Sequence, residues 1–196
     1  MEREYISVGT ACWPTFKLKK HGFRKSAYPF DWQVTSMQSF YEVCKNNFDG
    51  MLDDICIGDK VRRLYYIDSD ASNNPEVKET KDYIYPVICK KYNILFPHYF
   101  HKIDDEFVES VRNKMKKRIE SFNKIVLDDN VEKKFIYFLD GLNKWQKQCF
   151  DSCGIEHTNL FKNENQIKYL SKSKKLFADK KVEFIELFNL LNGNKK

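Results

Sequence analysis

The stretch Tyr5-Ile6-Ser7-Val8-Gly9-Thr10-Ala11-Cys12-Trp13-Pro14 passes from a β-prone apolar run to a helix start within ten residues. Tyr5 to Val8 reads as a short buried strand, because aromatic and β-branched residues surround a single serine. Gly9 ends it, where a residue without a Cβ lets the chain turn sharply. Thr10 fits a helix N-cap and Pro14 a first helical turn, which puts Cys12 at or near a helix N-terminus. Phe16, Leu18 and Phe23 are then expected to pack inward while Lys17, Lys19 and Lys20 face water, with Gly22 as the stop.

Working outward, the spacing predicts a helix from Ser36 to Asn46, with Ser36 as cap and Met37, Phe40, Tyr41 and Cys44 on one face. Short strands are expected at Asp54–Gly58 and Arg63–Asp68, and an apolar one at Tyr92–His98 that ends around Pro97. Asp68–Asp82 reads as a mobile loop. Asp104–Leu127 is the longest predicted helix, capped by acids, with Phe107, Val111, Met115, Ile119 and Phe122 as its stripe. Lys133–Leu139 is the strongest strand, and Leu142–Ser152 and Lys181–Leu191 read as helices. Strands that are continuously apolar, with helices between them, imply an α/β fold: a mixed, mainly parallel central sheet flanked by helices. With no composition shift to mark a linker, residues 1–196 are expected to form one domain.

The chain is 42% hydrophobic and carries 34 Lys and Arg against 28 Asp and Glu, a formal charge of +6. Both signs are mixed along it, so a solvated lysine-rich surface is expected and nucleic acid is not an expected partner. Nothing at the N-terminus resembles a signal peptide, and no apolar run approaches the ~18–20 residues of a membrane span. No membrane association is expected, the localisation is read as cytoplasmic, and the six cysteines are expected to be free thiols in a reducing compartment.

Several side chains could carry chemistry. Cys12 is the most suggestive, because a helix N-terminus supplies partial positive charge and free N–H groups that favour a thiolate and can hold an oxyanion. His98 and His101 follow a predicted strand, where an imidazole can serve as general base. His21, beside Gly22, is explained by the helix dipole. Asp31 lies between Phe30 and Trp32; if buried, it needs a partner such as Arg24, Lys25 or a backbone N–H. It can then orient a histidine or pin its loop. Gly9, Thr10, Trp13, Trp32 and Arg24 complete the candidate substrate-binding set. Cys149, Cys153 and His157 recur every four residues, but Gly154 is expected to break that helix, so no metal site is assigned. Asp68-Ser69-Asp70 can hold a divalent ion in principle and reads as a solvated loop. No glycine-rich phosphate loop occurs, and no cofactor is expected.

Ser7-Val8-Gly9-Thr10-Ala11-Cys12, Leu18-Lys19-Lys20-His21-Gly22-Phe23-Arg24 and Ser26-Ala27-Tyr28-Pro29-Phe30-Asp31-Trp32 together resemble the opening of a family of papain-like cysteine peptidases found in large DNA viruses and in bacterial surface-polysaccharide clusters. That family continues with Phe-x-His-Asp-Phe, matched by Phe96-Pro97-His98-Tyr99-Phe100, and with a basic helix that Lys117-Arg118-Ile119-Glu120-Ser121-Phe122 resembles. Tyr99 departs from the pattern, standing where the family has Asp. The resemblance implies a Cys–His thiol hydrolase acting on a peptide or amide bond, with Cys12 as nucleophile, His98 as base and Asp31 or Asp140 as orienting acid. It also allows an α+β, papain-like architecture. Two other readings stay open: a sugar- or nucleotide-binding transferase whose pocket Cys12 and Asp31 shape, and a catalytically inactive interaction module. A viral version of the last would bind a host protein in the host cytoplasm; the substrate of the first would be a peptide, amide or glycan.

Overall fold

The computed structural model describes residues 2–67, 76–139 and 141–193. In chain order they form β1 (Glu2–Ser7), α1 (Cys12–Lys20), α2 (Met37–Lys45), β2 (Ile55–Ile57), β3 (Val61–Ile67), β4 (Glu76–Cys89), β5 (Ile94–Phe100), α3 (Asp105–Leu127), β6 (Val131–Tyr137), α4 (Lys144–Ser152), α5 (Asn163–Leu176), β7 (Val182–Glu186) and α6 (Leu187–Gly193). The content is mixed α/β. A parallel sheet in the order β1-β6-β7 is flanked by helices, and β4 pairs antiparallel with β2, β3 and β5 in a separate sheet.

Register in the parallel sheet runs from Glu2 opposite Val131 to Ser7 opposite Ile136. The two sheets meet through the segment that joins α1 to α2. Thr10, just past β1, bridges to Thr35, and its neighbour Val34 bridges to Leu95 of β5. Because Val34 and Thr35 reach in opposite directions, this one extended stretch holds the end of β1 against the antiparallel sheet.

Local chemistry starts the helices where the spacing predicts. The Ser36 side chain accepts from the Ser39 N–H at the head of α2, and Asp104 accepts from the Phe107 N–H at the head of α3. Helix α3 buries Val108, Val111, Met115, Phe122 and Val126, while Phe107 and Ile119 are only partly covered. Below it, aromatic rings interlock: Phe30 meets Phe40 at 4.9 Å and Phe122 meets Phe135 at 5.7 Å between centroids.

The structure corrects several expectations. Lys181–Leu191 is not one helix: Val182-Glu183-Phe184-Ile185-Glu186 pairs parallel to β6 as β7, and only Leu187 onward is helical. Its β-branched and aromatic residues take the open edge of β6, where ladder bonds outweigh local helical spacing. Residues 76–82 are no loop but half of the fourteen-residue β4, paired with β3. Strand β5 runs past Pro97 to Phe100, and its register with β4 shifts between Tyr85 and Val87. Proline is tolerated inside a ladder at such irregularities. Helix α5 was not expected; its hydrophobic residues are sparse among lysines.

The cysteines are not all free thiols. Cys56 of β2 and Cys153, the residue that caps α4, form a disulfide with their Cα atoms 5.9 Å apart, a spacing such a bond requires. Close packing brings them together: a Cβ on Gly58 would come within 2.9 Å of the Pro86 ring and 3.2 Å of Ser152 Oγ. Cys12, Cys44, Cys89 and Cys149 remain thiols. Among the described residues, no helix is long and apolar enough to cross a membrane.

Candidate active site

Gly9 sets the geometry at the end of β1. Its φ is +117°, and a Cβ there would lie 2.4 Å from the carbonyl oxygen of Thr35, so only glycine fits between the two strands. Its carbonyl accepts from the Phe138 N–H at 3.1 Å, and the Thr10 N–H donates to the Phe138 carbonyl at 3.1 Å. The Thr10 hydroxyl donates to that same Phe138 carbonyl. This corrects the reading of Thr10 as a helix cap: the N-cap is Ala11, which has no side chain to offer, because Thr10 is held back in the sheet. Helix α1 therefore begins at Cys12 with no side-chain cap over its first turn.

Cys12 is only 1% exposed. Burial pushes its thiol well above the ordinary range; its own backbone N–H pulls the other way, and the nearby Asp31 charge adds to the rise. In the resting chain the sulfur is therefore protonated.

Asp31 is likewise 1% exposed, and its carboxylate is surrounded by donors. Oδ2 accepts from Arg24 Nε at 3.0 Å, from Arg24 Nη2 at 2.8 Å and from the Tyr28 N–H at 2.9 Å. Oδ1 accepts from the Thr15 hydroxyl at 3.4 Å. Burial raises the Asp31 pKa, while the charge of Arg24, the Tyr28 N–H and the charge of Arg118 oppose that rise. These bonds pin Pro29-Phe30-Asp31-Trp32 against α1, with Phe30 driven into the core. Trp32 follows in a left-handed conformation, φ 61°, and its ring meets His98 edge-on at 6.4 Å between centroids.

Strand β5 supplies the other wall. His98 is half-buried beside Trp32. The Tyr99 hydroxyl donates to the backbone carbonyl of Asp31 at 2.6 Å and accepts from Arg118 Nη1 of α3. Tyr99 responds to the charges of both Asp31 and Cys12, so these three groups lie within electrostatic reach of one another.

The remaining candidates are dispersed. Trp13 is buried among Leu18, Ile136, Leu187 and Leu190 and stacks on Phe16. His21 and His101 are exposed. Cys153 is in the disulfide, and Gly154, at φ +62°, ends α4 before His157, which stacks on Phe150 instead. No cluster of three or more metal-ligating side chains occurs among the described residues. Asp140 and Asp68-Ser69-Asp70 lie outside those residues. Sequence reasoning asked for a backbone N–H at Asp31 without locating it at Tyr28, and it missed the Thr15 hydroxyl. A hydroxyl four residues along a helix and a backbone N–H three residues before an acid carry no pattern that singles them out.

Residues 3–140 match the model of a family described as "Putative papain-like cysteine peptidase". The chain is also similar to the uncharacterized protein R408 of Acanthamoeba polyphaga mimivirus, 24% identical over 210 residues that span 97% of this chain and 89% of that one. No solved structure matches. Since the matched segment runs from β1 through β6 and carries Cys12, Asp31 and His98, well over half of the chain, the protein belongs to this papain-like cysteine peptidase family.

Proposed function

We propose that the chain is a thiol hydrolase of peptide or amide bonds, with Cys12 as nucleophile and His98 as general base. The observation that carries the reading is Cys12 as the first residue of α1, directly after a glycine turn at the carboxyl end of a parallel strand. There the positive end of α1 and the Cys12 N–H can favour a developing oxyanion. Because burial keeps the thiol protonated, attack proceeds with proton transfer and not from a preformed thiolate. The Cys12 proton passes to His98 as the sulfur bonds to the substrate carbonyl carbon. The tetrahedral intermediate then expels the amine, which leaves with that proton. Water, deprotonated by His98, cleaves the thioester to release the acid and restore the thiol. Asp31 acts through its loop: with its acceptors committed to Arg24, Tyr28 and Thr15, it fixes Trp32, and Trp32 packs against His98.

A second reading, a module that binds without turning over, is favoured by the near-complete burial of Cys12. Incubation with a peptide library, read by mass spectrometry, separates the two. Hydrolysis predicts cleavage products from the native chain that disappear in both Cys12→Ala and His98→Ala. No products from the native chain support the binding module, and products that persist in Cys12→Ala remove Cys12 as the nucleophile.

A further inference from the structure

Positive charge that is scattered along the sequence gathers on one face, where α2 and α5 lie side by side. The Gln166 side chain accepts from the Met37 N–H at 2.8 Å, and Asn165 Nδ2 donates to Gln38 Oε1 at 2.9 Å. Together the two helices carry Lys45, Lys168, Lys172, Lys174 and Lys175 against Glu42 and Glu164, and neither has an arginine. Three of the ammonium groups converge on a pair of rings. Tyr41 of α2 and Tyr169 of α5 stand 5.7 Å apart between centroids. Lys172 Nζ lies 4.4 Å from the centre of Tyr169 and 5.6 Å from that of Tyr41. Lys168 Nζ is 5.7 Å from Tyr169, and Lys45 Nζ is 5.9 Å from Tyr41. Such contacts hold an ammonium in place without neutralising it. Among the described residues, no carboxylate pairs with any of these three lysines.

We propose that this face binds the phosphate backbone of duplex nucleic acid without regard to sequence. The mixed signs of the chain give no hint of it, because Lys45 joins the lysines of α5 only when the helices pack. The chemistry of the face favours this occupant over two others. An ammonium is a point charge that suits a dense, repeating anion, whereas paired, planar recognition of carboxylates belongs to arginine. A duplex presents one charge per ~1.7 Å of its axis, a density that an acidic peptide does not reach. A lipid surface fits less well again. Leu170 is buried in the core, which leaves Ile167 as the exposed large apolar side chain of α5, and insertion needs a continuous apolar face.

The test titrates the full chain against a short fluorescein-labelled DNA duplex of arbitrary sequence, by fluorescence anisotropy over a series of salt concentrations. Contact of three lysines with phosphates contributes about −2.7 to the slope of log affinity against log salt, about fortyfold between about 50 and 200 mM. Lys45→Gln, Lys168→Gln and Lys172→Gln combined are expected to remove that contribution. Lys168→Gln alone, at a fully exposed position, should remove about 0.9 of it and guards against misfolding of the triple variant. A control of equal charge, Lys114→Gln, Lys116→Gln and Lys117→Gln on the exposed side of α3, should leave the slope nearly unchanged. A native chain that does not bind the duplex overturns the proposal. So does a control that loses as much slope as the α2–α5 variant, since net charge alone would then act. Polyglutamate that displaces the duplex at equal charge concentration overturns it in favour of an acidic peptide. Phosphatidylserine vesicles that sediment the chain under conditions where the duplex does not bind overturn it in favour of a lipid surface.

Discussion

Asp31 shows how one buried acid can organise a site. An isolated carboxylate in such surroundings is expensive, and the chain offsets that cost with an arginine, a backbone N–H and a hydroxyl. Replacing it with Asn keeps the shape but removes the charge that Arg24 answers. Asp31→Asn is expected to destabilise the fold by about 2 kcal/mol, the scale of a lost hydrogen bond to a charged group, because the partly exposed Arg24 can turn to water. Urea unfolding measures this, and a variant as stable as the native chain would mean that the loop is held by Phe30 alone. Much of this was legible: an acid between Phe30 and Trp32 demands a partner, and Arg24 and a backbone N–H were named as candidates. What could not be read was the direction of Thr10. Its preference for capping a helix is a local tendency, and the carbonyl of Phe138, the residue after β6, competes for it only once the sheet exists. The same holds for Tyr99, whose hydroxyl finds the Asp31 carbonyl and Arg118 across three separate segments.

Among the elements, those with caps and clear spacing were legible, and those decided by pairing were not. Helices α2 and α3 start at Ser36 and Asp104 as their side chains dictate. Strand β7 exists because β6 has an edge to fill, and the charged half of β4 because β3 lies antiparallel beside it. The disulfide belongs to this same class of feature, since cysteines 97 positions apart meet only after α4 has docked over β2. It closes a loop that contains β3, β4, β5 and all of α3. In the unfolded chain such a cross-link removes much conformational freedom, so Cys56→Ser is expected to lower stability by about 2–4 kcal/mol. The comparison is urea unfolding of the oxidised native chain against the variant. Reduction of the native disulfide should bring the two curves together. If Cys56→Ser unfolds at the same urea concentration as the oxidised chain, the cross-link contributes nothing to the fold.

On the scale of the whole molecule, the two sheets share one interior. Val87 and Phe96 of the antiparallel sheet and Ile6 and Phe135 of the parallel one belong to the same buried cluster, so unfolding either sheet exposes the other. Urea unfolding is therefore expected to follow one transition whether read by tryptophan fluorescence or by far-UV circular dichroism. The shared interior also makes stability depend on alkaline pH in a definite direction. Burial raises the thiols of Cys12, Cys44, Cys89 and Cys149 above their ordinary value near 9.0, that of Cys149 to about 12. Between those limits the unfolded chain has already lost thiol protons that the folded chain keeps. The folded state then binds more protons, so stability falls as pH rises, by about 1.4 kcal/mol per pH unit for each thiol in the window. Below pH 9 both states hold these protons and the contribution is fully present. The urea midpoint should accordingly be level from pH 7.5 to 8.5 and decline from 9 to 10. The decline should be shallower in Cys149→Ala once that variant's own loss at neutral pH is subtracted. A midpoint that stays constant to pH 10 would mean that the thiols open to solvent in the folded chain, and the sealed interior around Cys12 would have to be abandoned with them.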